Sequence, residues 1–194
     1  MKVCGLTGSV GMGKSTAAQF LCESGAQVVD TDELARQLVQ RGQPALDEIQ
    51  TAFGQPVIDS NGELNRAALA RIVFSNADAR RQLEAILHPR IRERWLARIE
   101  IWREENHPLA GVVIPLLFET GAESHFDKII CVACSAAAQR ERLLARGWTL
   151  EEIRQRNAAQ MPVEQKIARA DFVVWTEGTL DAHERQIERI LAAL

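Results

Sequence analysis

The chain has 194 residues, a formal net charge of −3 and 46% hydrophobic residues. A chain of this length is one domain, or one domain carrying an insertion, and it buries roughly 70% of its unfolded surface without help from disulfides or metals. The charge gives no case for wholesale nucleic-acid binding, and no run approaches the ~20 apolar residues of a membrane span.

The first predicted element is a strand, Val3 to Leu6, entered within two residues of Met1; this leaves no room for a signal peptide and predicts a cytosolic protein. Gly8-Ser9-Val10-Gly11-Met12-Gly13-Lys14-Ser15 follows and fits Gly-x-x-x-x-Gly-Lys-Ser, the loop that cradles nucleotide phosphates. Thr16 to Cys22 then reads as a helix that stops near Gly25. Strand, glycine loop and helix are the context the motif requires. At ordinary residue usage a chance match in such a chain is under about one in a hundred. Gly8, Gly11 and Gly13 permit backbone angles closed to other residues and let main-chain N–H groups approach an anion. The helix N-terminus adds unpaired donors and partial positive charge. Lys14 is expected on the β- and γ-phosphates, Ser15 on Mg²⁺, and Thr16 at the rim. Met12 is expected to contribute mainly its backbone.

A second strand, Gln27 to Asp30, runs directly into Thr31-Asp32. A carboxylate at the carboxyl end of a parallel strand points into the ligand crevice. Asp32 is therefore the candidate to orient an acceptor hydroxyl and take its proton. Asp30 is a candidate for capping a helix that starts near Glu33, or for a water-mediated metal contact.

Residues 33–108 are helical in pattern, broken at Gly42-Gln43-Pro44, Gly54-Gln55-Pro56, Asp59-Ser60-Asn61-Gly62 and His88-Pro89. The proline at the last break is expected to end a helix at His88. Trp95 and Trp102, seven apart, read as core.

Three further apolar runs follow: Gly111 to Leu116, Lys128 to Ala133, and Asp171 to Trp175. Continuous apolar strands separated by helices predict an α/β fold, a five-stranded parallel sheet covered on both faces. Its core spans approximately residues 1–32, 109–134 and 170–194, with an inserted helical domain over approximately 33–108. Phe118 and Glu119, at the mouth of the third strand, are expected to line the acceptor site rather than the core. Cys131-x-x-Cys134 lies on the fourth strand, where residues three apart face opposite ways, so structural cysteines are expected. A last helix, Leu180 to Leu194, places Leu180, Ile187, Ile190, Leu191 and Leu194 along one side.

Of the 23 basic residues 19 are Arg, a bias that suits phosphate recognition but that a GC-rich coding sequence also produces. Six of them lie between 135 and 169, interspersed with Glu141, Glu151 and Glu152. A solvated helical surface accounts for this pattern; the alternative, favoured for two or three of the arginines, is a lid that closes over the transferring phosphoryl group.

Taken together these motifs resemble the dephospho-CoA kinase family over nearly the whole chain. The resemblance rests on Gly5-Leu6-Thr7-Gly8, on Val29-Asp30-Thr31-Asp32 with Ala35-Arg36, and on Leu87-His88-Pro89. It rests also on Ile114-Pro115-Leu116-Leu117-Phe118-Glu119, and on Arg156-Asn157-Ala158-Ala159-Gln160-Met161-Pro162 with Lys166 and Ala170-Asp171. Two departures stand out: Ser9-Val10-Gly11-Met12 where Gly-Ile-Gly-Ser is usual, and Trp175-Thr176-Glu177-Gly178 where an Asn precedes the Gly. The second segment is expected near the adenine. The resemblance implies phosphorylation of the ribose 3′-hydroxyl of dephospho-CoA by ATP with Mg²⁺. It implies Asp32 as base, Lys14 and the loop on the donor, Arg142 and Arg146 as lid arginines on the transferring group, and His88 as an acceptor contact or a kink residue. Other small-molecule or nucleoside monophosphate kinases share the loop, core and lid. A nucleotide-dependent switch is weakened because the chain has no Asn-Lys-x-Asp guanine-reading motif.

Overall fold

The computed structural model describes residues 1–194 throughout. Strands β1 (Lys2–Thr7), β2 (Gln27–Asp30), β3 (Leu109–Val113), β4 (Lys128–Ala133) and β5 (Phe172–Trp175) form one parallel sheet in the order β2-β3-β1-β4-β5. The helices are α1 (Lys14–Glu23), α2 (Thr31–Leu38), α3 (Pro44–Phe53), α4 (Arg66–Ser75), α5 (Ala77–Glu104), α6 (Ala136–Ala145), α7 (Leu150–Ala158), α8 (Val163–Arg169) and α9 (Leu180–Ala192). β2 and β3 lie to one side of β1, β4 and β5 to the other. That reversal opens a crevice at the carboxyl end of β1, where open α/β sheets bind ligands, and the glycine loop leaves β1 at that point.

Two compact units result, one of Met1–Asp30 with Ile99–Leu194 and one of Thr31–Arg98. In the first, Cys4, Leu6, Ile130, Val132 and Val174 pack with Ala17, Phe20 and Leu21 of α1 and Ile187 and Ile190 of α9. The region 135–169 belongs to this unit. In the second, Val39, Ile49, Val57, Leu69 and Val73 form a separate core, with an isolated antiparallel bridge between Ile58 and Leu64. Residues 99–108 fall in the first unit.

Two boundaries and the buried stripe of the last helix differ from expectation. β3 stops at Val113 rather than Leu116: the Ile114 N–H still reaches the Leu6 carbonyl at 2.8 Å, but Pro115 has no N–H to continue the ladder. α5 does not end at His88; it runs 28 residues with Pro89 inside it. Pro89 leaves the Ala85 carbonyl without its helical donor, and one position on Arg90 Nη1 donates to the Ile86 carbonyl at 2.6 Å. On α9 the buried stripe is His183, Ile187 and Ile190, an i, i+4, i+7 series, while Leu180 is 67% exposed. Trp95 and Trp102 are both buried. No helix is long and apolar enough to cross a membrane.

Candidate active site

The loop between β1 and α1 has the backbone its glycines suggest. Gly8, Gly11 and Gly13 have φ of 141°, 77° and 92°. Space forbids a side chain as well as conformation: a Cβ on Gly8 would stand 2.2 Å from the Val132 carbonyl oxygen, and one on Gly11 2.9 Å from Leu143 Cγ. Ser9 is not among the positive-φ residues, so its position does not demand a glycine. Its carbonyl accepts from Lys14 Nζ at 3.0 Å and from the Met12 N–H at 3.4 Å. Lys14 is the first residue of α1, behind the left-handed cap Gly13. Ser15 is exposed and Thr16 half-buried in the same first turn, so the helix presents a cation and hydroxyls at its positive end.

Two side chains from distant elements hold this loop. Gln139 of α6, buried, donates from Nε2 to the Val10 carbonyl at 2.7 Å and pairs its amide with that of Asn157 on α7 at 3.2 Å. Thr176, after β5, donates from Oγ1 to the Met12 carbonyl at 3.0 Å. Arg142, the basic residue in the last turn of α6, donates to Thr176 Oγ1 at 2.8 Å and to its carbonyl at 2.5 Å. Arg142 is thus engaged with the segment that holds the loop. Arg146, the C-cap of α6, is exposed. Glu177, in the segment after β5, accepts from the Ser135 N–H at 2.5 Å. Hydrogen bonding from Ser135, through its side chain first and its backbone N–H second, lowers the pKa of Glu177, with Arg142 adding to the effect, and it fastens the segment after β5 to the start of α6.

Met12 does more than present its backbone. Its side chain is buried and packs with Ala133, Cys134, Val163 and Ile167 beneath the loop. The C-x-x-C pair is accordingly structural. Burial pushes the Cys131 thiol up to about 11, against the opposing fields of Lys166 and Lys14, and burial raises Cys134 also. Thiols held protonated are poor nucleophiles and poor metal ligands. No group of three or more His, Cys, Asp or Glu side chains is arranged to hold a metal ion.

At the exit of β3 the chain turns through Pro115 to Glu119. Phe118 is buried, and the Arg169 guanidinium of α8 lies 4.4 Å over its ring. Glu119 accepts from the Met161 N–H at 2.8 Å and pairs with Lys166 Nζ at 2.8 Å. Gln139, Thr176 and Lys166 were not singled out by motif spacing. A buried lysine or glutamine reads like any surface polar residue until its environment is known; Lys166 and Thr176 stood out only as members of segments compared with the family, with no role attached to either.

In the unit Thr31–Arg98, Asp32 is an exposed residue of the first turn of α2, which begins at Thr31 and not near Glu33. It is two residues beyond the carboxyl end of β2. His88 is half-buried within α5; burial lowers its pKa, Glu84 opposing and Arg92 adding to the shift.

This geometry agrees with what comparison finds. The family model described as dephospho-CoA kinase matches residues 2–182. A dephospho-CoA kinase of Anaeromyxobacter dehalogenans is 45% identical over 195 aligned positions, covering 100% of this chain and 92% of its own length. Among solved structures, a protein from Thermus thermophilus superposes with a TM-score of 0.84 at 36% identity, covering 100% of this chain and 97% of its own. A dephospho-CoA kinase from Campylobacter jejuni superposes with a TM-score of 0.72 at 27% identity, covering 99% and 96%.

Proposed function

The chain belongs to the dephospho-CoA kinase family, and on that premise we propose how its residues divide the work of phosphorylating dephospho-CoA with ATP. The γ-phosphoryl group passes to the ribose 3′-hydroxyl, giving CoA and ADP at the last step of coenzyme A biosynthesis. The observation that carries the reading is Lys14 at the first turn of α1 behind a left-handed glycine loop, in a chain that the family model spans almost completely.

The loop amides from Gly8 to Gly13, with Met12 among them, hold the donor phosphates. Lys14 leaves its bond to the Ser9 carbonyl for the β- and γ-phosphate oxygens, which offer it full negative charge. Thr16 lines the rim. Arg142 keeps Thr176 and the loop in place beside the nucleotide. Its engagement with Thr176, and the exposure of Arg146 at the end of α6, support giving Arg146 the larger share of the contact with the transferring group. A cation there offsets charge developing on the equatorial oxygens.

Asp32 orients the acceptor hydroxyl and takes its proton. Its exposure and its position just past β2 support that role. Acceptor binding is assigned to the helical region that includes His88, with Glu119 and the wall formed by Phe118 contributing from the exit of β3. Residues 135–169 act as the lid.

The donor set suits Mg²⁺ held together with the nucleotide: one hard hydroxyl, Ser15, is available at the loop, and no protein cage competes for the ion. When bound, the ion supplies charge neutralisation across the β- and γ-phosphates.

ADP release with Mg²⁺-ATP should require dephospho-CoA, and AMP, adenosine or no acceptor should give none. The product should carry one added phosphate on the 3′-hydroxyl. Turnover indifferent to acceptor, or faster with AMP, would leave a kinase fold and overturn the substrate.

A further inference from the structure

Lys166 is completely buried, 0% exposed, on the inner face of α8. Burying an ammonium is expensive unless it is paired and hydrogen-bonded, and here a carboxylate and a carbonyl are supplied. Nζ donates to the Pro115 carbonyl at 2.6 Å and to Glu119 Oε1 at 2.8 Å. The same Pro115 carbonyl accepts from Thr7 Oγ1 at 3.3 Å, and Thr7 is the residue before Gly8. The same Glu119 oxygen accepts from the Met161 N–H at 2.8 Å, where the region 135–169 returns to the sheet. One ammonium thus ties together the entry of the phosphate loop, the exit turn of β3 and the return of the lid. A hydrocarbon side chain would fill the space but leave the Pro115 carbonyl and the Glu119 carboxylate short of a donor, free to turn toward water.

We propose that Lys166 is a positioning residue for phosphoryl transfer: it holds the Pro115–Glu119 turn and the Met161 segment in one fixed arrangement beside the phosphate loop. Lys166 touches no reacting atom. Its contribution is to keep Glu119 aimed and the lid return anchored, so that closure brings the lid to the same place in each cycle. The inference rests on the reading of this sheet edge as the site of transfer from ATP. Misplacing catalytic groups by about 1 Å costs on the order of 100-fold in rate, whereas binding of ATP through the loop amides and Lys14 does not pass through Lys166.

The test compares wild type, Lys166→Met, Glu119→Gln and the double variant, all assayed well below their melting temperatures. For Lys166→Met, kcat should fall roughly 30- to 100-fold while KM for ATP stays within about threefold of wild type. Glu119→Gln keeps an oxygen for the Met161 N–H but removes the charge facing the lysine, so it should lose part of the same rate. The double variant should be no slower than Lys166→Met, since residues acting through one contact are not additive. Folded Lys166→Met with wild-type kcat, or losses that multiply in the double variant, would overturn the proposal. Should Lys166→Met fail to fold, Glu119→Gln decides alone, and an unchanged kcat sinks the idea. Wild type unable to phosphorylate dephospho-CoA would overturn the functional reading itself, a result distinct from active wild type with equally active variants.

Discussion

Gln139 and Val10 lie 129 positions apart and meet through a 2.7 Å hydrogen bond from the buried amide to the loop carbonyl. Val10 sits in the middle of the phosphate loop, and a loop whose N–H groups must all face one anion has carbonyls that face away and need donors. Gln139 supplies one and Thr176 another, at Met12. The loop is therefore shaped from behind by α6 and by the segment after β5 before any phosphate arrives, which lowers the ordering cost of binding.

Gln139→Leu keeps the volume but leaves the Val10 carbonyl without this donor. The loss should be about 1–3 kcal/mol, seen as a melting temperature lower by roughly 2–4 °C per kcal/mol. KM for ATP should rise more than kcat falls. An unchanged KM with a lowered melting temperature would make the brace purely structural.

Lys14→Ala removes the point charge at the start of α1. Loss of a preorganised electrostatic donor typically costs ~10²–10³ in kcat, so turnover should drop at least that far while circular dichroism and melting stay near wild type. Normal turnover would disprove the loop assignment.

Asp32→Asn preserves shape and exposure and removes basicity. A general base contributes ~10²–10⁴-fold, so kcat should fall by that order, with ATP affinity measured by calorimetry almost unchanged. Equal losses in both would move Asp32 to metal or structural duty.

His183 is 4% exposed with Nε2 unpaired, and its ring meets Phe20 edge-on at 5.3 Å. Burial lowers its pKa below 6.5, and the Arg142 charge adds to that. The unfolded chain then takes up the proton at a higher pH than the folded one. The stability from neutral His183 is complete above pH 6.5, and is lost progressively as pH falls toward the lower folded pKa. His88 shifts in the same direction. Urea unfolding from pH 7.5 to 5 should reveal this slope, and His183→Phe, which keeps the ring contact, should flatten it. A slope unaltered in the variant would assign it to other groups.

How much of this was legible beforehand depended on whether the signal was local. The phosphate loop was legible because its glycines, lysine and serine act through neighbouring backbone, and so were the strands, because burial on both faces leaves continuous apolar runs. Pro89 misled, because a proline removes only one helical N–H and a helix of 28 residues continues through it. Leu180 misled because an apolar residue at a helix's first position satisfies the spacing without being buried.

By itself the sequence determined the parallel sheet, the glycine loop between its first strand and first helix, and the family. Those are short-range properties, written in backbone propensity, periodicity and motif. The tertiary structure decided that Arg142 serves Thr176, that Met12 and Cys134 share one apolar cluster, and that Lys166 lies buried between Pro115 and Glu119. What a polar side chain does depends on its environment, and that environment comes from segments that meet only when the chain has folded.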